Sequence, residues 1–225
     1  MQQNMYKIIL LFIMYEKIFV IGFNKTATSS IHKLFIKNKL LSQHNGSHWH
    51  IDNYQCFSDN GNLRNFKELD EKYENSIFIL NTRKLNKWII SRFKHGKRQH
   101  EKTGKKNWAW PYREELVYQW LTERENHHIN LLEHFKNKPE KLIIVSTEKP
   151  DFLEFISKHV NINHYKFEPR NVIETTDKHN DIIECVYDVF NDMEYNESEI
   201  ENCLVKDVGL TNHYLTIYKN NIKTI

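Results

Sequence analysis

Three short apolar runs constrain this chain more than anything else in it: Lys17–Gly22 (KIFVIG), Ser76–Thr82 (SIFILNT) and Lys141–Thr147 (KLIIVST). They are rich in β-branched residues and show no regular polar alternation. Strands of that kind are buried on both faces, as in parallel sheets covered by helices. Between them, apolar residues recur at helical spacing. Ile31, Leu34, Phe35 and Ile36 follow the first run, Leu63, Phe66, Leu69 and Tyr73 precede the second, and Leu116, Trp120, Ile129, Leu132 and Phe135 precede the third. Pro111 suits the first turn of that long helix, and Pro150 the first turn of one carrying Phe152, Leu153, Phe155 and Ile156. The alternation predicts an α/β fold, a three-layer α/β/α sandwich around a mainly parallel central sheet.

The remaining segments read less sharply. Leu40–His44 suggests a short strand, and Asn45–Asn62 an irregular, His-rich stretch. Asn86–Phe93 reads as helix, and the basic segment Lys94–Lys106 (KHGKRQHEKTGKK), containing Gly96 and Gly104, as a mobile loop. Lys178–Tyr195 looks helical. A length of 225 residues suits one domain over 1–225, with residues 1–15 as an N-terminal extension and about 175–225 as a helical C-terminal region. Met14 is an alternative start.

Charged residues at 27% and aromatics at 13% fit a folded enzyme rather than a disordered chain. A net charge of +3 does not mark a nucleic-acid binder. Cys56, Cys185 and Cys203 fit neither a disulfide framework nor a zinc motif, which favours reduced thiols in a cytoplasmic setting over one bridge with one free thiol; the His cluster has no second ligand set, so no metal is expected. The apolar run Ile8–Met14 is too short to span a bilayer and lacks a small-residue cleavage site, although its length reaches the lower limit of a signal-peptide core, which leaves a signal or anchor as the alternative to a cytoplasmic chain. Asn24-Lys25-Thr26 is a glycosylation sequon in the loop discussed next, where a glycan would block access; this too argues against the secretory route.

Two segments offer anion chemistry. Gly22-Phe-Asn-Lys-Thr-Ala-Thr-Ser-Ser30 lies between a predicted strand and a predicted helix. A helix N-terminus leaves backbone N–H groups unpaired and partially positive, and small residues let them close around a phosphate or sulfate. Lys25 adds a full charge, and Thr26, Thr28 and Ser29 add hydroxyls. The same segment also reads as an ordinary turn with an N-capping hydroxyl. The spacing is not GxxxxGK[ST], because Lys25 comes three residues after Gly22; a nucleoside or small-molecule kinase is therefore disfavoured. The second segment places Arg83 at the end of a strand and Ser91 eight residues later, about two helical turns on. Together they offer a charged fork and a hydroxyl to a phosphate.

The two segments, in this order, resemble the PAPS-dependent sulfotransferases, in particular a small sulfotransferase-like branch (PAPS is 3′-phosphoadenosine 5′-phosphosulfate). KIFVIGFNKTATSSIHKLF is similar to the 5′-phosphosulfate-binding strand–loop–helix, typically KxGTTS or RTGTTS, and FILNTRKLNKWIISRF to the 3′-phosphate-binding element. The resemblance covers about residues 16–172 and implies a P-loop NTPase-like fold. It implies that Lys25, Thr26, Ala27, Thr28 and Ser29 cradle the 5′ end, with Lys25 neutralising the leaving phosphate. It implies that Arg83 and Ser91 hold the 3′-phosphate, and that PAP is the product. Ala27 stands where the family carries Gly, so an L-residue must take up the loop geometry. Lys84-Leu85 stands in place of the usual Asn-Pro or Asp-Pro.

Such a transferase passes a sulfuryl group to a hydroxyl or amine by in-line displacement, and the acceptor needs a base. Family members use His or Glu. His48 leads here, followed by His44, with His50 and Asp59 also near in sequence. The acceptor is expected to be a small molecule or glycan, with an acidic one suggested by Lys94–Lys106. That segment also reads as plain solvated surface, and Trp108 and Trp110 as pocket walls or core. Nucleic acid is not an expected partner. The competing reading is a nucleotide-binding module of the same fold without catalysis.

Overall fold

A computed structural model describes residues 15–45, 51–59, 65–105, 109 and 113–165. Five α-helices and five β-strands lie within them: β1 (Lys17–Val20), α1 (Thr28–Lys37), β2 (Ser42–His44), β3 (Cys56–Ser58), α2 (Phe66–Lys72), β4 (Ser76–Thr82), α3 (Leu85–Thr103), α4 (Glu114–Phe135), β5 (Leu142–Ser146) and α5 (Phe152–His159). All five strands pair in parallel, in the order β2-β3-β1-β4-β5. The three apolar runs form β1, β4 and β5, side by side at the centre and one edge. In β4 every residue is buried, as its unbroken apolar pattern requires.

Strand alternation divides the core into two layers. Phe19, Phe57, Phe78, Leu80, Leu142 and Ile144 face α2 and α4, meeting Phe66, Leu69, Leu131 and Phe135. Ile18, Val20, Ile77, Ile79, Ile143 and Val145 face α1 and α5, meeting Ile31, Leu34, Phe35, Leu153 and Ile156. This is the expected α/β/α sandwich. The chain leaves β1 toward β2 on one side and leaves β4 toward β5 on the other. The strand order therefore reverses between β1 and β4, and the crevice beyond their carboxyl ends is where ligands of such sheets bind.

Three local expectations change. The stretch 45–62 contains a strand, β3, which two apolar residues, Cys56 and Phe57, were too few to reveal. Helix α1 begins at Thr28, so Thr28, Ser29 and Ser30 lie in its first turn rather than in the loop. The basic segment Lys94–Lys106 is no loop where described, because α3 runs unbroken to Thr103. Lys, Arg and Gln are good helix formers. Gly96 is there because a Cβ would come within 2.7 Å of the Ala109 backbone. Gly104, with φ 65°, ends the helix in the left-handed conformation. The readings at residues 1–14, 110–112 and 166–225, with Cys185 and Cys203, lie outside the described residues. Among the described residues no helix is long and apolar enough to cross a membrane.

Candidate functional site

The loop from Gly22 to Ala27 leaves the carboxyl end of β1, and β4 fixes it from beside. Asn81, a polar residue within the apolar β4, accepts from the Gly22 N–H at 3.0 Å. Its Nδ2 donates to Thr26 O at 2.5 Å and Thr26 Oγ1 at 2.7 Å. The approach is close enough that a Cβ on Gly22 would lie 2.1 Å from the Asn81 carbonyl oxygen. Thr26 Oγ1 also donates to Phe23 O, and the residue is 2% exposed. The Thr26 hydroxyl is thus committed within the loop, and what Thr26 can offer a ligand is its backbone.

Lys25 (φ 67°) and Ala27 (φ 60°) are both left-handed. For L-residues each such conformation costs on the order of 1–2 kcal/mol, and closely spaced left-handed residues curve successive N–H groups into an anion-binding concavity. The helical ladder starts where Ser30 and Ile31 donate to Ala27 O. The positive end of α1 has neither a side-chain cap nor a first-turn acidic residue to offset its partial charge. Burial pushes the Lys25 ammonium below its ordinary pKa, Arg98 and Arg92 add to that, and Asp59 opposes it.

Arg83 stands at the end of β4, beside this loop. Its Nη1 donates to Lys25 O at 3.4 Å and its Nε to Glu148 Oε1 at 3.2 Å. Arg124 of α4 holds the Arg83 carbonyl at 2.9 Å. Ser91 is 6% exposed on α3. At helical spacing it shares a face with Trp88 and His95, and Arg92 lies one turn on from Trp88. Trp88 Nε1 donates to Asn24 O at 3.0 Å, and Arg92 Nη1 to Asn24 Oδ1 at 3.0 Å. The Arg92 guanidinium lies 4.9 Å from the Trp88 ring and 4.2 Å from Trp120. Burial pushes its pKa down to about 9, which still leaves it charged at neutral pH. This face of α3 thus buttresses the loop.

His44, at the end of β2, meets the start of α1. Its Nε2 lies 3.1 Å from Ser29 Oγ and 3.8 Å from Asp59 Oδ2, and its Nδ1 lies 2.9 Å from Ser58 Oγ. His32 stacks on it at 5.0 Å. In the tautomer protonated at Nδ1, that nitrogen donates to Ser58 Oγ and Nε2 is left as an acceptor beside the loop. Burial pushes the His44 imidazole below its usual pKa, Lys25 adds to this, and Asp59 opposes it. The shift favours the neutral imidazole, the form that can take a proton.

The structure thus brings Lys25, Ala27, Ser29, His44, Asp59 and Arg83 to one rim. His48, His50, Trp108 and Trp110 lie outside the described residues. Sequence reasoning passed over Asn81 and Glu148, although each left a signal. Asn81 is a lone amide in an otherwise apolar strand, and Glu148 follows the last strand at the same rim. Among the described residues no cluster of His, Cys, Asp or Glu could hold a metal ion. No model of a known protein family matches the chain, and no curated protein is significantly similar to it.

Proposed function

We propose that the chain binds a nucleotide anionic at both ends and transfers a sulfuryl group from PAPS to a hydroxyl or amine acceptor. The observation that carries this is the pairing at one rim: an uncapped, left-handed loop with Lys25 at its apex, and Arg83 bonded to the Lys25 carbonyl. In this reading the loop N–H groups and Lys25 receive the 5′-phosphosulfate, and Arg83 with Ser91 receives the 3′-phosphate. Transfer forms a bond from the acceptor oxygen or nitrogen to sulfur as the sulfur–oxygen bond to the 5′-phosphate breaks. Lys25 neutralises the charge left on that phosphate, and PAP departs. His44 Nε2, neutral and beside Ser29, takes the acceptor proton. Asp59 then faces the imidazolium that results.

Calorimetric titration with PAP and with 5′-AMP tests the binding half. PAP should bind at least about tenfold more tightly than 5′-AMP, and Arg83→Ala should erase the difference, since a hydrogen bond to a charged group is worth roughly 1.5–3 kcal/mol. Equal affinity for both nucleotides would remove the 3′-phosphate from the argument. Transfer of radiolabelled sulfate from PAPS to a panel of alcohols, sugars and amines tests the chemistry. PAP binding with no turnover on any acceptor would leave a binding module in place of an enzyme.

A further inference from the structure

Arg83 and Lys87 converge on one carboxylate. Arg83 Nε lies 3.2 Å from Glu148 Oε1, and Lys87 Nζ lies 2.5 Å from Glu148 Oε2. Lys87 and Ser91 are four residues apart on one ridge of α3, and Arg83 immediately precedes that helix, at the end of β4. Glu148 comes from the far side, just after β5, where Thr147 anchors the chain by donating to Thr82 O from both N–H and Oγ1. Burial works against the Glu148 charge, but Lys87 and Arg83 outweigh it and hold the carboxyl below its usual pKa.

We propose that Arg83 and Lys87 form a two-cation subsite for a phosphomonoester, and that the Glu148 carboxylate is an internal anion which the ligand must displace. Lys87 thereby becomes a binding residue and Glu148 a specificity residue. An intramolecular carboxylate carries a single charge and two acceptor oxygens. A ligand group displaces it by offering more charge, so the subsite takes a phosphate dianion in preference to a sulfate or carboxylate monoanion. The proposal rests on the reading of Arg83 as the 3′-phosphate residue, and it adds what selects the ligand there.

Titration of the full chain with PAP, with 5′-AMP and with inorganic phosphate alone separates the two ideas. Glu148→Gln removes the competing charge and keeps the shape. It should tighten PAP and inorganic phosphate by about tenfold while leaving 5′-AMP unchanged, and Lys87→Met should weaken PAP by a similar factor. Glu148→Ala, checked for folding by circular dichroism, should act in the same direction as Glu148→Gln. If Glu148→Gln leaves PAP affinity unchanged or weakens it, the carboxylate is no competitor and the proposal fails. If wild type binds no PAP but binds phosphate, and binds it more tightly in Glu148→Gln, the nucleotide reading falls and the subsite stands. If neither wild type nor Glu148→Gln binds phosphate or PAP, both fall.

Discussion

Ala27 bears a cost that glycine would not: its φ of 60° forces a Cβ into left-handed space. Ala27→Gly should therefore stabilise the fold by about 0.5–1 kcal/mol, the relieved strain less the extra unfolded-state entropy of glycine. Urea denaturation reads this directly, and a loss of stability would mean that the loop is not strained there. Asn81 works in the opposite sense. Its buried amide makes three bonds to Gly22 and Thr26, so Asn81→Ala should cost about 2–3 kcal/mol in the same assay and weaken PAP through the slackened loop. His44 separates binding from chemistry. Its lowered pKa means the neutral base prevails above an acid limb lying below pH 6.5. His44→Asn should cut sulfuryl transfer by roughly 10²–10⁴-fold and abolish that limb, with PAP affinity unchanged. A mutant that keeps both rate and limb would remove His44 as the base. That Lys25, Ala27 and Arg83 lie at one rim was legible in the sequence, because the segments that carry them each directly follow a strand whose apolar run marks it as buried in a parallel sheet. Asn81 and Glu148 act through contacts 55–65 residues away along the chain, which no local spacing encodes.

At the scale of elements, legibility followed burial. β1, β4 and β5 are buried on both faces and show as unbroken apolar runs. β3 has three residues and hides among polar neighbours. The continuation of α3 past Phe93 was hidden by Gly96, which reads locally as a breaker. In the fold it is a contact: the helix passes so close to Ala109 that only hydrogen fits. This sets two effects against each other. Gly96→Ala gains up to about 1 kcal/mol of helix propensity and loses about 1–3 kcal/mol to overpacking against the Ala109 backbone. The net expectation is a lower thermal midpoint for Gly96→Ala. A raised midpoint would mean that α3 and the Ala109 segment are not packed together in solution.

Across the whole molecule, the candidate site and a charged anchoring knot occupy opposite rims. The loop after β1, Arg83 and Glu148 stand at the carboxyl ends of the strands. Asp70 on α2 binds His134 of α4 at 2.8 Å, and also Lys138 and Lys141, which lead into the amino end of β5. This knot joins the helical layer to the sheet edge without touching the site. Burial works against the Asp70 charge, but Lys138, Lys141 and His134 overcome it and hold the carboxyl below the usual aspartate range. A carboxyl lowered in the folded state stabilises the protein above its unfolded pKa, and that stabilisation is lost as pH falls through the folded value. Asp70→Asn should therefore cost about 2–3 kcal/mol at pH 7, discounted for the partly exposed lysines. Its stability curve should converge with wild type as pH drops below about 4, where the wild-type carboxyl also loses its charge. PAP affinity of the folded mutant should be unchanged, because the knot and the site share no residue. Loss of PAP binding in a mutant with an intact circular dichroism spectrum would show that the two rims are coupled through α4, which carries both Arg124 and His134.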